Sequence, residues 1–201
     1  MKFRSYIKNF PQLLKQLLPP DIDYSTVEIW QQDESRVGQQ GSTTRIWAKT
    51  GTRPRKVRQQ QFIATYIYGA VCARTGDAFG LVLPHTNTEA MQLFLNELSS
   101  HVEGNRHIAL VMDNAGWHTA NELIVPKNIT LVPLPPYSPE LNAVEQILGW
   151  LKSHYLSNCN FKDYNDIVDK VCFAWNEFAK QPDFVKSMCS RDWLITPRFI
   201  L

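Results

Sequence analysis

The stretch that most constrains this chain is 107–112, whose centre, Ile108-Ala109-Leu110-Val111, is apolar without alternation. A strand with one wet face alternates apolar and polar residues, so an unbroken run suggests a strand covered on both faces. Ile129-Thr130-Leu131-Val132 is a second such run. Covering both faces of a sheet takes helices, and three stretches offer them. The pattern over 88–102 places Ala90, Met91, Phe94, Leu95 and Leu98 on one side, with Thr88 as its expected cap. A second helix is expected from about 142 to 156. A third, over 163–180, carries Ile167, Val168, Val171, Cys172, Trp175 and Phe178.

Ahead of these runs the character is that of hairpins. Residues 27–32 alternate and read as a strand ending at Asp33. Gly38 and Gly41 mark turns, 43–48 reads as a short strand, and 62–72 is rich in aromatic and branched residues. Gly76-Asp77 has the look of a hairpin turn into a strand at 79–83. Antiparallel strands followed by strand–helix alternation predict an α/β fold, with a mixed sheet of three antiparallel strands and then parallel strands, flanked by helices. Residues 3–18 space Phe3, Tyr6, Ile7, Phe10, Leu14, Leu17 and Leu18 as an amphipathic helix. Pro11 interrupts it, which predicts one kinked helix or two short ones. The expected organisation is a helical segment at 1–24, one domain over 25–195 and a tail at 196–201.

The 201 residues, 44% of them apolar, suffice for one sizeable core. A formal net charge of +2 says little about partners, so the distribution of charge has to be read instead. The four cysteines, at 72, 159, 172 and 189, form no Cys-x-x-Cys pair, which argues against a zinc site or a disulfide framework. The N-terminus lacks the pattern of a signal peptide. The longest nearly apolar run, 62–73, is too short to span a bilayer. These features predict a cytoplasmic protein that does not enter membranes.

Three acids stand where ligands gather in an α/β sheet. Asp33 and Asp113 each follow an expected strand, and Glu145 lies near the start of the helix that follows Pro133, Pro135, Pro136 and Pro139. Converging carboxylates suit phosphodiester chemistry, in which charge develops on both the entering and the leaving oxygen and a pair of hard divalent ions can stabilise it. Each acid also has an ordinary role open to it. Asp33 could be a turn residue, and Asp113 could cap the turn after its strand. Glu145 is three residues after Asn142, the spacing of a capping box.

Gln-Asp-Glu-Ser-Arg at 32–36, Met-Asp-Asn-Ala-Gly-Trp-His at 112–118 and Leu-Pro-Pro-Tyr-Ser-Pro-Glu-Leu-Asn-Ala-Val-Glu at 134–145, taken together, resemble the Tc/mariner superfamily of DDE transposases. Ile46-Trp47-Ala48-Lys49-Thr50-Gly51-Thr52-Arg53-Pro54 points to its bacterial insertion-sequence branch, the group called IS six-thirty in words. The resemblance spans roughly residues 25 to 195, and its most specific element is the proline loop followed by Asn-x-x-Glu. It implies an RNase H-like fold with Asp33, Asp113 and Glu145 as catalytic, metal-binding residues. It further implies two Mg²⁺ ions, replaceable by Mn²⁺, nicking at transposon ends, and strand transfer into target DNA. A bacterial, nucleoid-associated location, action as a homodimer and helix-turn-helix modules encoded upstream are also implied, since only some 25 residues precede the first expected strand. Three departures stand out. Ala143 replaces a proline that is frequent in the family, Leu148 stands where an aromatic is frequent, and the 31 residues between Asp113 and Glu145 are somewhat fewer than in mariner-type proteins. Gly149 inside the expected helix costs about 1 kcal/mol relative to alanine.

DNA contacts are expected from Arg45, Lys49, Arg53, Arg55, Lys56 and Arg58, a stretch of six positive charges with no acid. Lys152, two helical turns beyond Glu145, and His118, close after Asp113, are further candidates. Two other readings share these residues. One is a different RNase H-like nuclease, acting on hybrids or branched substrates. The other is an inactive, domesticated DNA-binding relic.

Overall fold

The computed structural model of the chain describes residues 2–102, 104–116 and 122–195. Five strands form one sheet: β1 (Val27–Gly38), β2 (Ala64–Cys72), β3 (Ala78–Leu83), β4 (His107–Met112) and β5 (Ile129–Pro133), in the order β3-β2-β1-β4-β5. β1, β2 and β3 pair antiparallel, whereas β4 and β5 run parallel to β1. The helices are α1 (Lys2–Leu17), α2 (Thr88–His101), α3 (Ala143–Leu151), α4 (Tyr164–Ala179), α5 (Pro182–Cys189) and α6 (Asp192–Ile195). None of the described helices is long and apolar enough to cross a membrane.

The apolar run of β4 behaves as its composition demands. Ile108 and Leu110 point to one face, where Met91, Phe94, Leu95 and Leu98 of α2 cover them together with Trp30 and Tyr68. Ala109 and Val111 point to the other, where Phe10 and Leu14 of α1 and Leu194 of α6 meet Ile29 and Val132. All four residues of the run are fully buried. On that second face, α3, α4 and α5 cover the β1–β3 half through Ile147, Leu151, Val171, Trp175, Phe178 and Val185. Charge is also buried at the start of β1, where Glu28 is 1% exposed. It accepts from Arg74 Nη2, Arg106 Nη1 and Trp30 Nε1, so its desolvation is offset by three hydrogen bonds.

Several expectations need correction. β1 does not end at Asp33 but runs on to Gly38, because β2 continues to pair with it from Asp33–Gly69 to Gly38–Ala64. β4 pairs with β1 only as far as Gln31–Val111, so the polar stretch beyond has a strand neighbour on one side only. Residues 43–48 form no strand. Their polar groups bond instead to the connection between α3 and α4, with Thr44 N–H donating to Asn158 Oδ1 and Asn158 Nδ2 donating back to Thr44 O. β2 begins at Ala64 rather than at 62. Asn87, not Thr88, caps α2, its Oδ1 accepting from Ala90 N–H at 2.8 Å. α1 is one helix that continues through Pro11. The helix expected over 142–156 is α for Ala143–Leu151, then widens into a π turn over Lys152–Leu156. Gly38 sits where the chain leaves the sheet, and a Cβ there would lie 2.5 Å from the Ile63 carbonyl oxygen.

Candidate active site

The chain extends the sheet from β1 through β2 to β3, then crosses by way of α2 to the other side of β1 and adds β4 and β5. The direction of growth therefore reverses between β1 and β4. In open α/β sheets, ligands bind at the carboxyl ends of the strands at such a point. Asp113 is the first residue after β4, and Asp33 is on β1 just beyond its last pairing with β4. Glu145 is in the first turn of α3. The three acids line one cleft of about 500 Å³, together with Asn114 and the loop from Leu134 to Pro139.

Local bonds fix the two aspartates. The Asp33 carboxylate accepts from the Glu34 N–H at 2.8 Å. Burial pushes its pKa up to about 8, and the charge of Glu145, followed by smaller contributions from Glu34 and Asp113, acts in the same direction against that hydrogen bond. Part of the burial has a visible source. Asp33, Gly69 and Gly80 form one row across β1, β2 and β3, and the Trp175 indole lies on the two glycines, where a Cβ at either would come within 2.7 Å of the ring. Asp113 is exposed, and its Oδ1 accepts from Ala115 N–H at 3.0 Å, so the turn role expected for it is present. Asn114 Nδ2 donates to Leu134 O and ties this turn to the loop after β5.

Glu145 is exposed and takes no part in a capping box. The Asn142 N–H that such a box would engage goes to Pro139 O at 2.9 Å, and the Asn142 side chain itself caps α3 by accepting from Val144 N–H. The Glu145 carboxylate thus faces the cleft without being drawn back to the backbone. Two buried amides also join this region, Asn142 of the Asn-x-x-Glu motif and Gln31, which the sequence did not single out. Gln31 Nε2 donates to Leu141 O and its Oε1 accepts from Ala143 N–H, while Asn142 Nδ2 donates to Gln32 O. No local pattern marked Gln31, since Gln32 beside it and Glu28 before it are polar as well.

Among the basic candidates, Lys152 is the one brought to the acids. Burial lowers its pKa, and the charges of Glu145 and Asp33 oppose that shift. It lines a second, smaller cleft with Arg36, Gln40 and Ser42. Arg45, Lys49, Arg53, Arg55, Lys56 and Arg58 are all exposed and line neither cleft. They occupy an arm between two anchored feet. One foot is the Thr44–Asn158 pairing. At the other, Gln59 exchanges two hydrogen bonds with the Phe161 backbone at 2.6 and 2.7 Å. His118 lies outside the described residues.

The donor set fits a hard divalent ion, since the cleft offers carboxylate oxygens and no thiol. Among the described residues no three His, Cys, Asp or Glu side chains form a closed ligand cluster. The arrangement is an open cleft, which suits Mg²⁺, an ion that keeps several waters and takes a few carboxylates plus substrate phosphate oxygens.

Comparison with known proteins agrees with this geometry. Residues 28–168 match the family described as DDE superfamily endonuclease. A relative from Sinorhizobium fredii, the uncharacterized protein y4pE/y4sA, is 50% identical over 128 residues, which is 64% of this chain and 95% of that protein. Among solved structures, the Mos1 strand transfer complex superposes with a TM-score of 0.60 at 17% identity, over 94% of this chain and 59% of that one. The Mos1 mariner paired end complex with Mn gives 0.59 at 16%, over 94% and 60%. This chain thus spans about three fifths of the length of those structures. The shared architecture is the RNase H-like one, a mixed five-stranded sheet flanked by helices.

Proposed function

The chain belongs to the DDE superfamily of endonucleases, and from that premise we propose that residues 25–195 are the catalytic domain of a Tc/mariner-like DNA transposase. The observation that carries this reading is the convergence of Asp33, Asp113 and Glu145 on one cleft at the sheet's switch point. The three carboxylates would hold Mg²⁺ or Mn²⁺, two ions in the full reaction. When bound, these supply electrostatic stabilisation of the entering and leaving oxygens of an in-line displacement.

The chain's own residues do the rest. Asp33, in the middle of β1, and Asp113, just past the end of the neighbouring β4, present carboxylate oxygens from the rigid floor of the cleft. Glu145 approaches from the wall formed by α3. The stiff loop from Leu134 to Pro139 shapes the opposite rim. In the first step a water oxygen bonds to phosphorus while the bond to the 3′ oxygen breaks, leaving a 3′-hydroxyl and a 5′-phosphate. In the second, that hydroxyl attacks a target phosphodiester and releases the target's own 3′ oxygen. Both steps displace an oxygen at phosphorus, so one site can serve both.

Phosphates need cations, and Lys152, which lines the neighbouring cleft and feels the charges of Glu145 and Asp33, would meet the DNA backbone there. The footed arm with its six cations would grip the duplex further out. Neutralising Arg53, Arg55 and Lys56 together should flatten the salt dependence of DNA binding, lowering the log–log slope by about 2 to 3. Fluorescence anisotropy at several salt concentrations measures this, and an unchanged slope would remove the arm from the interface.

The activity itself is tested with DNA carrying the terminal repeats of the parent element, joined or not to an added end-binding module. The expected result is strand cleavage that requires Mg²⁺ or Mn²⁺ and yields 3′-hydroxyl ends able to join a target. Efficient cutting of RNA–DNA hybrids with no joining would favour a different RNase H-like nuclease.

A further inference from the structure

Glu145 has no place in the sheet. It rides on α3, which reaches the strands through the proline loop, so its distance from Asp33 depends on what holds the N-terminus of that helix. Three buried hydrogen bonds to β1 do so, and a fourth caps the helix itself. Gln31 Nε2 donates to Leu141 O at 2.7 Å and Gln31 Oε1 accepts from Ala143 N–H at 3.2 Å. Asn142 Nδ2 donates to Gln32 O at 2.8 Å and Asn142 Oδ1 accepts from Val144 N–H at 3.1 Å. Gln31 and Asn142 are 2% and 5% exposed, so water does not stand in for a lost partner.

The pattern is more specific than helix anchoring requires. Gln31 uses the two ends of its amide in opposite senses on the residues either side of Asn142, so a slide or a rotation of α3 breaks at least one bond. Asn142 reaches the Gln32 carbonyl where β4 has ceased to pair with β1, closing the gap in the sheet from which the cleft opens. Gln31 is two residues before Asp33 on the same face of β1, and Asn142 is three residues before Glu145. The clasp is thus the shortest link between the two carboxylates.

We propose that Gln31 and Asn142 are positioning residues that set the separation of Asp33 and Glu145 for the divalent ion. This rests on the metal-site reading given above. Partners behind metal ligands typically change metal affinity 10- to 100-fold when lost, and Mg²⁺ tolerates misplacement poorly because it demands near-ideal octahedral geometry.

The test uses the full chain with two substitutions. Gln31→Met keeps the length of the side chain and loses both bonds. Asn142→Ser keeps an oxygen able to cap α3 but cannot reach Gln32. Circular dichroism and thermal unfolding report the fold, and the electron paramagnetic resonance signal of free Mn²⁺ reports binding. Competition with Mg²⁺ gives the preference between the two ions. Each folded variant is expected to bind Mn²⁺ at least about tenfold more weakly than wild type, with Mg²⁺ competing less well still. A clasp that only stabilised the fold would leave both readings unchanged, and that result would overturn the proposal. If wild type itself binds no Mn²⁺, the metal-site reading fails and this proposal fails with it, which separates the two cases. Should Gln31→Met not fold, Asn142→Ser decides alone.

Discussion

Asp113→Asn is expected to abolish DNA cleavage while leaving the chain folded and able to bind DNA. Asp113 is exposed and follows β4, and Asn can keep the Oδ1 bond to the Ala115 N–H that holds its turn. The change in stability should therefore stay within about 0.5 kcal/mol, as for most exposed substitutions. What the substitution removes is a charged oxygen ligand from a cleft whose proposed task is to hold a divalent ion. Losing several kcal/mol of transition-state stabilisation lowers the rate on the order of 1,000-fold. Single-turnover cleavage of end-labelled DNA, with circular dichroism and anisotropy as controls, measures the effect. A variant cutting within about tenfold of wild type would remove Asp113 from the chemistry.

The second large effect falls on stability. Trp175 is 5% exposed and lies on Gly69 and Gly80, which pair across β2 and β3. No other residue type in that row leaves room for the indole, and trimming Trp175 to alanine leaves a void over bare backbone that its neighbours cannot fill. The expected cost is about 3–5 kcal/mol, read as a lower midpoint in urea unfolding at unchanged slope. The converse change, Gly80→Ala, drives a methyl into the indole and should cost about 1–3 kcal/mol. Because the same row ends at Asp33, a displaced indole also admits solvent beside that carboxylate. A loss of less than about 1 kcal/mol in Trp175→Ala would show that the indole is not wedged as described.

Legibility in the sequence followed what each residue was asked to do. The unbroken apolar run of β4 specified a doubly covered strand because burial on both faces leaves no other composition. β1 was harder to read. Its second half is polar and looks like a turn, yet it is held by the β2 ladder, whose partner residues from Gly69 back to Ala64 no local pattern reveals. Residues 43–48 carry strand-like composition, but Thr44 is held by Asn158 and the preceding Ser42 by Ser157, again through distant contacts. At the site, the loop motifs around Asp113 and Glu145 singled out those acids. Asp33 was ambiguous as a turn residue until the sheet placed it mid-strand opposite Gly69. Gln31 was passed over because one glutamine of the Gln31-Gln32 pair carries no signature until its two backbone partners, 110 and 112 residues on, are seen.

The central claim is that three acids, distant in sequence, hold a divalent ion in one place. Fe²⁺ substituted for Mg²⁺, with ascorbate and peroxide, generates hydroxyl radicals that cut the polypeptide beside the ion. Three clusters of cuts are expected, near residues 33, 113 and 145, suppressed by excess Mg²⁺ and lost in Asp113→Asn. Cuts at other positions, or cuts at these three that persist without Asp113, would contradict it.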